Sequence, residues 1–161
     1  MAKALRLLDA TGFRMMEGLN LVGERVDPVR RQITLHNQDP EAPGGGLEDP
    51  GGDATPILME TPAEGRLFRP YLNFSSNVAQ VMRRIEAEER LEGRAFRRFR
   101  VHDLRHRFAV RWLKAGGTIY RLSAHLGHTS VKTTEIYLDH LTDEESEVAQ
   151  KGAQREESYA L

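Results

Sequence analysis

The sequence predicts an α+β fold that is mostly helical, with a small antiparallel sheet near residues 32–59. Apolar residues recur at helical spacing over most of the chain, and glycines or capping hydroxyls mark where these stretches end. The segment 37–56 differs, because its four prolines and five glycines are typical of a long loop or a decorated hairpin. Short apolar runs at 32–35 and 57–59 flank this segment, so we expect them to form the outgoing and returning strands.

Two short helices are predicted at the start of the chain, over residues 2–10 and 13–21. Gly12 separates them, since glycine commonly ends a helix in a left-handed conformation. In the second helix, Met16 and Leu19 lie about one turn apart, and we expect both side chains to point into the core.

Further stretches of helical periodicity follow in the second half of the chain. The predicted helices cover residues 75–91, 103–114, 118–126 and 130–138. Phe108 and Trp112 lie one turn apart, which favours core packing over a platform for stacking bases, whereas His125 is expected on a helix surface. The predicted organisation is one domain over 1–141, followed by an acidic tail over 142–161 that is helical or loose.

Composition narrows the class of protein. A length of 161 residues suits a single domain. The chain has no cysteine, which excludes disulfides, thiolate metal sites and cysteine nucleophiles and is typical of a cytosolic protein. It has neither a signal-peptide pattern nor an apolar run near the ~18 residues that a membrane span needs. We therefore expect a cytoplasmic protein with no membrane partner.

The net charge of −1 conceals a strong separation of charge along the chain. Residues 39–64 hold seven acidic side chains and no lysine or arginine, whereas residues 66–121 hold fourteen basic and five acidic side chains. Residues 139–161 are acidic again. A segment with a charge of +9 indicates a polyanionic partner, nucleic acid first. The alternative is an ordinary solvated surface rich in arginine.

Several polar side chains are not explained by the apolar periodicity. They are Arg14, Glu17, His102, Arg105, His128 and Tyr137. Arginine presents a planar fork to two phosphate oxygens and keeps its charge. A tyrosine hydroxyl can form a covalent intermediate, and histidine can accept or donate the proton that is transferred. Two arginines, two histidines and a tyrosine therefore suit nucleophilic attack on a phosphodiester.

Three local sequences make this pattern more specific. Residues 101–109 read VHDLRHRFA, residues 126–137 read LGHTSVKTTEIY, and residues 11–17 read TGFRMME. They resemble the second-arginine signature, the histidine–tyrosine signature and the first arginine box of the tyrosine recombinases, the phage integrase family. They also occur in the order that is usual for the family. The resemblance covers residues 4–141 and implies the catalytic core of that family.

The resemblance implies a role for each residue of the site. Tyr137 attacks the scissile phosphate and leaves a 3′-phosphotyrosyl link with a free 5′-hydroxyl. Arg14 and Arg105 hold the non-bridging oxygens. His102 acts as general base or hydrogen-bond donor, and His128 contacts the phosphate. Neither a metal nor another cofactor is expected, because the bond energy is kept in the phosphotyrosyl link.

The same resemblance implies partners and supporting residues. Glu17 and Asp103 are expected to support the catalytic residues without contacting the substrate themselves. Double-stranded DNA is the expected partner. The residues expected to contact its phosphates are Arg97, Arg98, Arg100, Arg107 and Lys132. Recombination in this family implies a homotetramer on DNA, and hence a cytoplasmic protein associated with the nucleoid.

Two departures from the family pattern limit what the resemblance implies. The family places a lysine on the hairpin after the first arginine box, where it protonates the leaving 5′-oxygen, but residues 32–65 contain no lysine or arginine. Arg66 and Arg69 follow this stretch, yet arginine is a poor proton donor. The family also carries an N-terminal DNA-clamping domain, and this sequence starts just before the first box. We therefore expect slow or impaired catalysis, and a truncated gene product, an excised domain or a short variant that relies on a partner.

Three other functions stay open on the sequence alone. A truncated, catalytically impaired remnant would bind DNA without turnover. A type IB topoisomerase would share the chemistry but act on one duplex. A histidine-metal hydrolase is the third, since His102 and His106 have possible metal spacing, although no acid or cysteine completes a site.

Overall fold

The computed structural model describes residues 1–27, 32–33, 47–48 and 54–157, and it is mostly helical, as predicted. The helices in these ranges are α1 (Ala2–Thr11), α2 (Met15–Leu19), α3 (Thr55–Met59), α4 (Phe74–Leu91), α5 (Val101–Lys114), α6 (Ile119–Leu126), α7 (Lys132–Glu135) and α8 (Asp143–Glu157). The strands are β1 (Val26–Asp27), β2 (Gln32–Ile33) and β3 (Leu47–Glu48), and two 3-10 turns cover Gly23–Arg25 and Leu138–His140. No helix in the described ranges combines the length and the apolar character needed to cross a membrane.

The three strands form one antiparallel sheet in the order β1-β2-β3. Val26 pairs with Ile33, and Ile33 pairs with Leu47. Ile33 is buried, so this strand attaches the sheet to the core beside α1 and α4. The antiparallel sheet is confirmed, although it begins with β1, before the segment in which it was predicted.

The returning strand predicted at 57–59 is wrong, because these residues lie in α3. A three-residue apolar run does not distinguish a strand from a helix. Pro56 is tolerated in the first turn of α3, where the helix needs no amide donor. Residues 34–35 of the predicted outgoing strand, and most of the loop predicted over 37–56, lie outside the described residues.

The turn between α1 and α2 depends on glycine. Gly12 ends α1 with φ of +68°, and its amide donates to the Leu8 carbonyl oxygen at 2.9 Å. A Cβ at this position would lie 2.3 Å from Cδ1 of Phe108 in α5. Glycine therefore supplies both the left-handed conformation and the space that lets this turn lie directly on α5.

The buried face of α2 differs from the prediction. Leu19 is buried as expected, but Met16 is 57% exposed. The helix begins at Met15, and it is the Met15 side chain that packs against the core. A helix of only five residues has too few positions for periodicity to define its buried face.

A second part of the core joins α5 and α6 to the C-terminal helices. Phe108 is buried and Trp112 packs partly buried against it, so the prediction that both belong to the core is confirmed. The acidic tail forms α8, which packs on α5 and α6. Its anchor is Ala149, which is fully buried, whereas Val148 beside it is exposed.

His125 is buried, so its predicted position on a helix surface is wrong. Its ring stacks on Phe108 at 4.9 Å between centroids, with an angle of 20° between the planes, and also contacts Trp112. Its Nε2 donates to the Thr11 carbonyl oxygen at 2.7 Å. This hydrogen bond offsets the cost of burying the polar ring, which is how a histidine can occupy an apolar helix face.

We expect His125 to make stability depend on pH. Burial lowers its pKa to about 4, whereas an unfolded histidine titrates near about 6.5. Below pH ~6.5 the unfolded chain therefore binds a proton that the native chain does not, so stability falls as the pH drops toward 4. Urea unfolding should show a slope of at most about 1.4 kcal/mol per pH unit from this group.

The variant His125→Gln should lose that part of the slope, while substitution of the exposed His140 by Gln should leave it in place. Equal slopes for the wild type and His125→Gln would contradict the assignment.

Candidate active site

The predicted catalytic residues lie next to helix ends that are far apart in sequence. Arg14 follows Gly12 and is the N-cap of α2. Arg105 lies in the second turn of α5. His128 follows Gly127, which ends α6 with φ of +62°. The side-chain contacts described below bring these three positions together.

The guanidinium of Arg105 is buried and joins two of these turns. Its Nη1 donates to the Gly12 carbonyl oxygen at 2.8 Å, and its Nη2 donates to the Leu126 carbonyl oxygen at 2.5 Å. Burial lowers the pKa of Arg105, and the nearby charge of Arg14 acts in the same direction. Arginine nevertheless keeps its proton in proteins, so the site contains a fixed and largely desolvated positive charge.

Arg14 is held at the more exposed side of the same group. Its backbone amide donates to Glu17 Oε2 at 2.7 Å, and its Nη1 donates to Glu17 Oε1 at 3.0 Å. Its Nη2 also donates to the Gly127 carbonyl oxygen at 3.3 Å. The side chain is half exposed. Glu17 therefore orients a cation that still faces solvent, consistent with the supporting role expected for it.

His128 lies between Arg105 and a buried hydroxyl. Its Nε2 is 3.2 Å from Arg105 Nη2, and its Nδ1 is 2.8 Å from Thr134 Oγ1. Thr134 is completely buried. Burial lowers the pKa of His128, and the charges of Arg105 and Arg14 lower it further. Thr134 was not predicted as a site residue. The signal for it in the sequence is only that a small polar residue lies between the histidine and the tyrosine.

Tyr137 exposes only 2% of its surface, and its phenol lies against the buried arginine. Burial raises the pKa of Tyr137, whereas the charge of Arg105 and a hydrogen bond with its guanidinium lower it. The site thus contains one group whose charge favours a phenolate, inside surroundings that disfavour it.

His106, rather than His102, packs against the tyrosine. The rings of His106 and Tyr137 meet edge to face at 5.4 Å between centroids, and the ring of His102 meets that of His106 at 4.9 Å. Burial lowers the pKa of His106, with a further contribution from His102. His102 itself is exposed. His102 was predicted as a site residue from the resemblance to the family motif. For His106 the sequence indicated only a possible metal-binding spacing.

Asp103 caps the helix that carries these histidines. The backbone amide of Arg100 donates to Asp103 Oδ2 at 2.8 Å, and this bond is the main cause that lowers the pKa of Asp103. The carboxylate therefore stabilises the start of α5, the helix that carries Arg105. Across the described part of the chain, no three His, Cys, Asp or Glu side chains are grouped so that they could hold a metal ion.

The basic residues expected to contact DNA fall into two groups. Arg98 pairs with Glu86 at 3.2 Å, Arg100 with Asp103 at 3.3 Å, and Arg107 with Asp9 at 2.8 Å. By contrast, the side chains of Arg97 and Lys132 are exposed, and neither has a carboxylate or hydrogen-bonding partner among the described residues. These two cations are the most available to an anionic ligand.

Arg66, which follows the segment where the family places its lysine, has hydrogen-bonding partners of its own. Arg66 Nη1 donates to Asn20 Oδ1 at 3.1 Å, and the backbone of Arg66 bridges to Val22. Of the lysines, Lys3 pairs with Glu60 and Lys114 with Glu145.

Comparison with known proteins agrees with the fold and the motifs. Residues 73–144 match the model of the phage integrase family. A 45-residue segment, 28% of this chain, is 51% identical to the tyrosine recombinase XerC of Roseiflexus castenholzii, of which it covers 14%. Over the matched residues the chain is therefore similar to the phage integrase family, the tyrosine recombinases.

Solved structures of tyrosine recombinases and integrases share the fold. The Tn1549 transposon integrase in complex with transposon right end DNA matches over 90% of this chain and 56% of its own, with a TM-score of 0.63 and 17% identity. The XerA recombinase matches over 89% of this chain and 54% of its own, with a TM-score of 0.53 and 25% identity. This chain therefore spans about half the length of the solved relatives that it matches.

We expect Arg105→Met to destabilise the fold as well as to alter the site. The substitution leaves two buried carbonyl oxygens without their donor, which should cost about 3 kcal/mol of unfolding free energy. Arg14→Met is the matched control, because that side chain is half exposed and should cost less than about 1 kcal/mol. Urea denaturation of the two variants measures both losses. Similar losses would show that Arg105 does not hold the two turns together.

Proposed function

We propose that this chain cleaves and rejoins DNA strands at specific sites, as the catalytic domain of a tyrosine recombinase. The observation that carries this proposal is the contact between the Tyr137 phenol and the buried guanidinium of Arg105. His128 and Arg14 complete the group. The match of residues 73–144 to the phage integrase family model supports the same function, as does the fold shared with an integrase whose structure contains transposon DNA.

In the proposed reaction the phenol oxygen of Tyr137 attacks a DNA phosphorus atom. An O–P bond forms to the tyrosine and the P–O5′ bond breaks, which leaves a 3′-phosphotyrosyl link and a 5′-oxygen. The tyrosine loses one proton to a base and the 5′-oxygen gains one. Attack by the 5′-hydroxyl of another strand reverses each step, so the reaction needs no external energy source or redox partner.

Charge stabilisation is the role proposed for the two arginines. A pentavalent phosphate carries additional negative charge, and donors fixed in advance at that charge contribute about 3–4 kcal/mol each. Arg105 cannot move far, because backbone carbonyls hold it, whereas Arg14 faces solvent and can meet an arriving phosphate. His128 lies beside Arg105 and is proposed to contact the phosphate.

The proton transfers are proposed to use the histidines at the start of α5. The raised pKa of Tyr137 keeps the phenol protonated in the resting site, so attack requires a base. We propose that His102 is that base or a hydrogen-bond donor. His106 is proposed to hold the tyrosine ring in place. Residues 32–65 offer no lysine to protonate the 5′-oxygen, so water is the proposed acid and we expect slow cleavage.

Double-stranded DNA is the proposed partner, bound by a homotetramer in the cytoplasm at the nucleoid. Arg97 and Lys132 are proposed as its first phosphate contacts. The paired cations Arg98, Arg100 and Arg107 can join them, because exposed ion pairs contribute only about 0–1 kcal/mol and yield readily to a phosphate. The second candidate is a DNA-binding remnant without turnover, which is favoured by the missing hairpin lysine.

Covalent capture tests the proposed function most directly. The protein is incubated with fragmented DNA from its source, denatured, and assayed for DNA that stays attached. We expect attachment by the wild type and none by Tyr137→Phe, which keeps the ring packed on His106 and removes the hydroxyl. Reversible binding without attachment in both proteins would instead favour the remnant, and relaxation of supercoiled DNA by the wild type would favour a topoisomerase.

Salt dependence tests the proposed DNA contacts. Each phosphate contact contributes roughly 0.9 to the slope of log K against log salt for duplex DNA. Lys132→Gln and Arg97→Gln should each lower that slope by about 1. Lys114→Gln is the control, since that lysine pairs with Glu145 and is not a proposed contact. An equal effect of all three substitutions would mean that only overall charge matters.

A further inference from the structure

The end of α6 lies against the turn between α1 and α2 and is joined to it at consecutive residues. His125 Nε2 donates directly to the Thr11 carbonyl oxygen at 2.7 Å. One residue further along each segment, Arg105 joins the carbonyl oxygens of Leu126 and Gly12, at 2.5 Å and 2.8 Å. The bond made by His125 is therefore next in the chain to both carbonyls that hold the buried guanidinium.

The side chains proposed to meet a phosphate continue from the same two segments. Arg14 follows the turn, and its Nη2 donates to the Gly127 carbonyl oxygen at 3.3 Å. His128 follows Gly127 directly. The Arg14 bond is exposed to solvent, whereas the bonds of His125 and Arg105 are buried. Of these bonds, the buried ones align the turn with the end of α6 most strongly, because water does not compete with them.

The surroundings of the His125 ring make this connection rigid. The ring stacks on Phe108 and contacts Trp112, so it cannot turn without disturbing both. A carbonyl oxygen only accepts, so Nε2 must carry a proton and the direction of the bond is fixed. The position of the Thr11 carbonyl relative to α6 is therefore set by a ring that is itself held in place.

We propose that His125 is a positioning residue of the site, which fixes the turn before Arg14 against the end of α6. Through this contact it sets the distance between the two carbonyls that hold Arg105. Its importance for strand cleavage rests on the function proposed above. Without the bond, the turn and the helix end would shift against each other, and both arginines and His128 would move with them. A misplacement of about 1 Å in a catalytic site can cost roughly 100-fold in rate.

The test separates the hydrogen bond of His125 from its packing. His125→Gln keeps an amide donor near the position of Nε2, whereas His125→Phe keeps a stacked ring and has no donor. His125→Leu is a second donor-free variant if the phenylalanine protein does not fold. Trp112→Phe is the matched control, because Trp112 contacts the same ring and its Nε1 makes no hydrogen bond within the described structure.

Nitrogen-15 NMR of the arginine side chains reports the placement of Arg105. Its two Nη groups are bound to carbonyl oxygens, which slows their rotation, so they should give separate signals. We expect the wild type, His125→Gln and Trp112→Phe to keep these signals, and the donor-free variants to shift or average them.

Covalent capture then measures the consequence for cleavage, at equal amounts of folded protein and saturating DNA. His125→Phe should slow attachment by about 10–100-fold. Its DNA affinity should not change, because the exposed cations proposed to contact DNA are untouched. His125→Gln should restore the rate, and Trp112→Phe should leave it unchanged.

Unchanged Arg105 signals in the donor-free variants would overturn the proposal, and so would altered signals with an unchanged rate. Equal slowing by Trp112→Phe and His125→Phe would also overturn it, since His125 would then act by packing alone. If no protein attaches to DNA, the wild type included, the proposed function fails, and the NMR comparison alone decides whether His125 positions Arg105.

Discussion

A buried guanidinium must have its N–H donors satisfied, and Arg105 satisfies them with backbone carbonyls from two turns of the chain. One carbonyl belongs to Gly12, between α1 and α2, and the other belongs to Leu126, at the end of α6. Gly12 and Gly127, the glycines of these two turns, both adopt left-handed conformations. The arrangement of the site therefore depends on a single side chain that is held by the backbone carbonyls of two turns.

The charge of Arg105 also acts on the pKa values of its neighbours Tyr137 and His128. Burial disfavours a charged phenol at Tyr137, and Arg105 acts in the opposite sense. Burial and the charges of two arginines lower the pKa of His128, which favours its neutral form. The site at rest therefore combines a protonated tyrosine, a histidine that resists protonation and fixed positive charge. This combination suits a reaction in which additional negative charge develops in the transition state, because the fixed positive charge stabilises it there.

Local sequence patterns predicted most of the local structure. The periodicity of α4, α5 and α6 and the glycines after α1 and α6 were sufficient to place those helices. The predictions were wrong where a helix was too short to show a hydrophobic period, as in α2 and α3. They were also wrong where tertiary contacts allow a polar side chain to be buried. His125 is polar, yet its hydrogen bond to Thr11 and its stacking on Phe108 allow it to be buried. No property of its neighbours in sequence indicates either partner.

The sequence by itself indicated the class of protein, because three motifs contain the residue types that phosphodiester chemistry requires. Tertiary structure alone decided which of these side chains touch. Arg105 meets carbonyls 93 and 21 residues away, and His106 rather than His102 packs on Tyr137. The physical reason is that hydrogen bonds and ring contacts depend on distances of a few ångströms, which are set by the packing of α1, α5 and α6 and not by spacing along the chain.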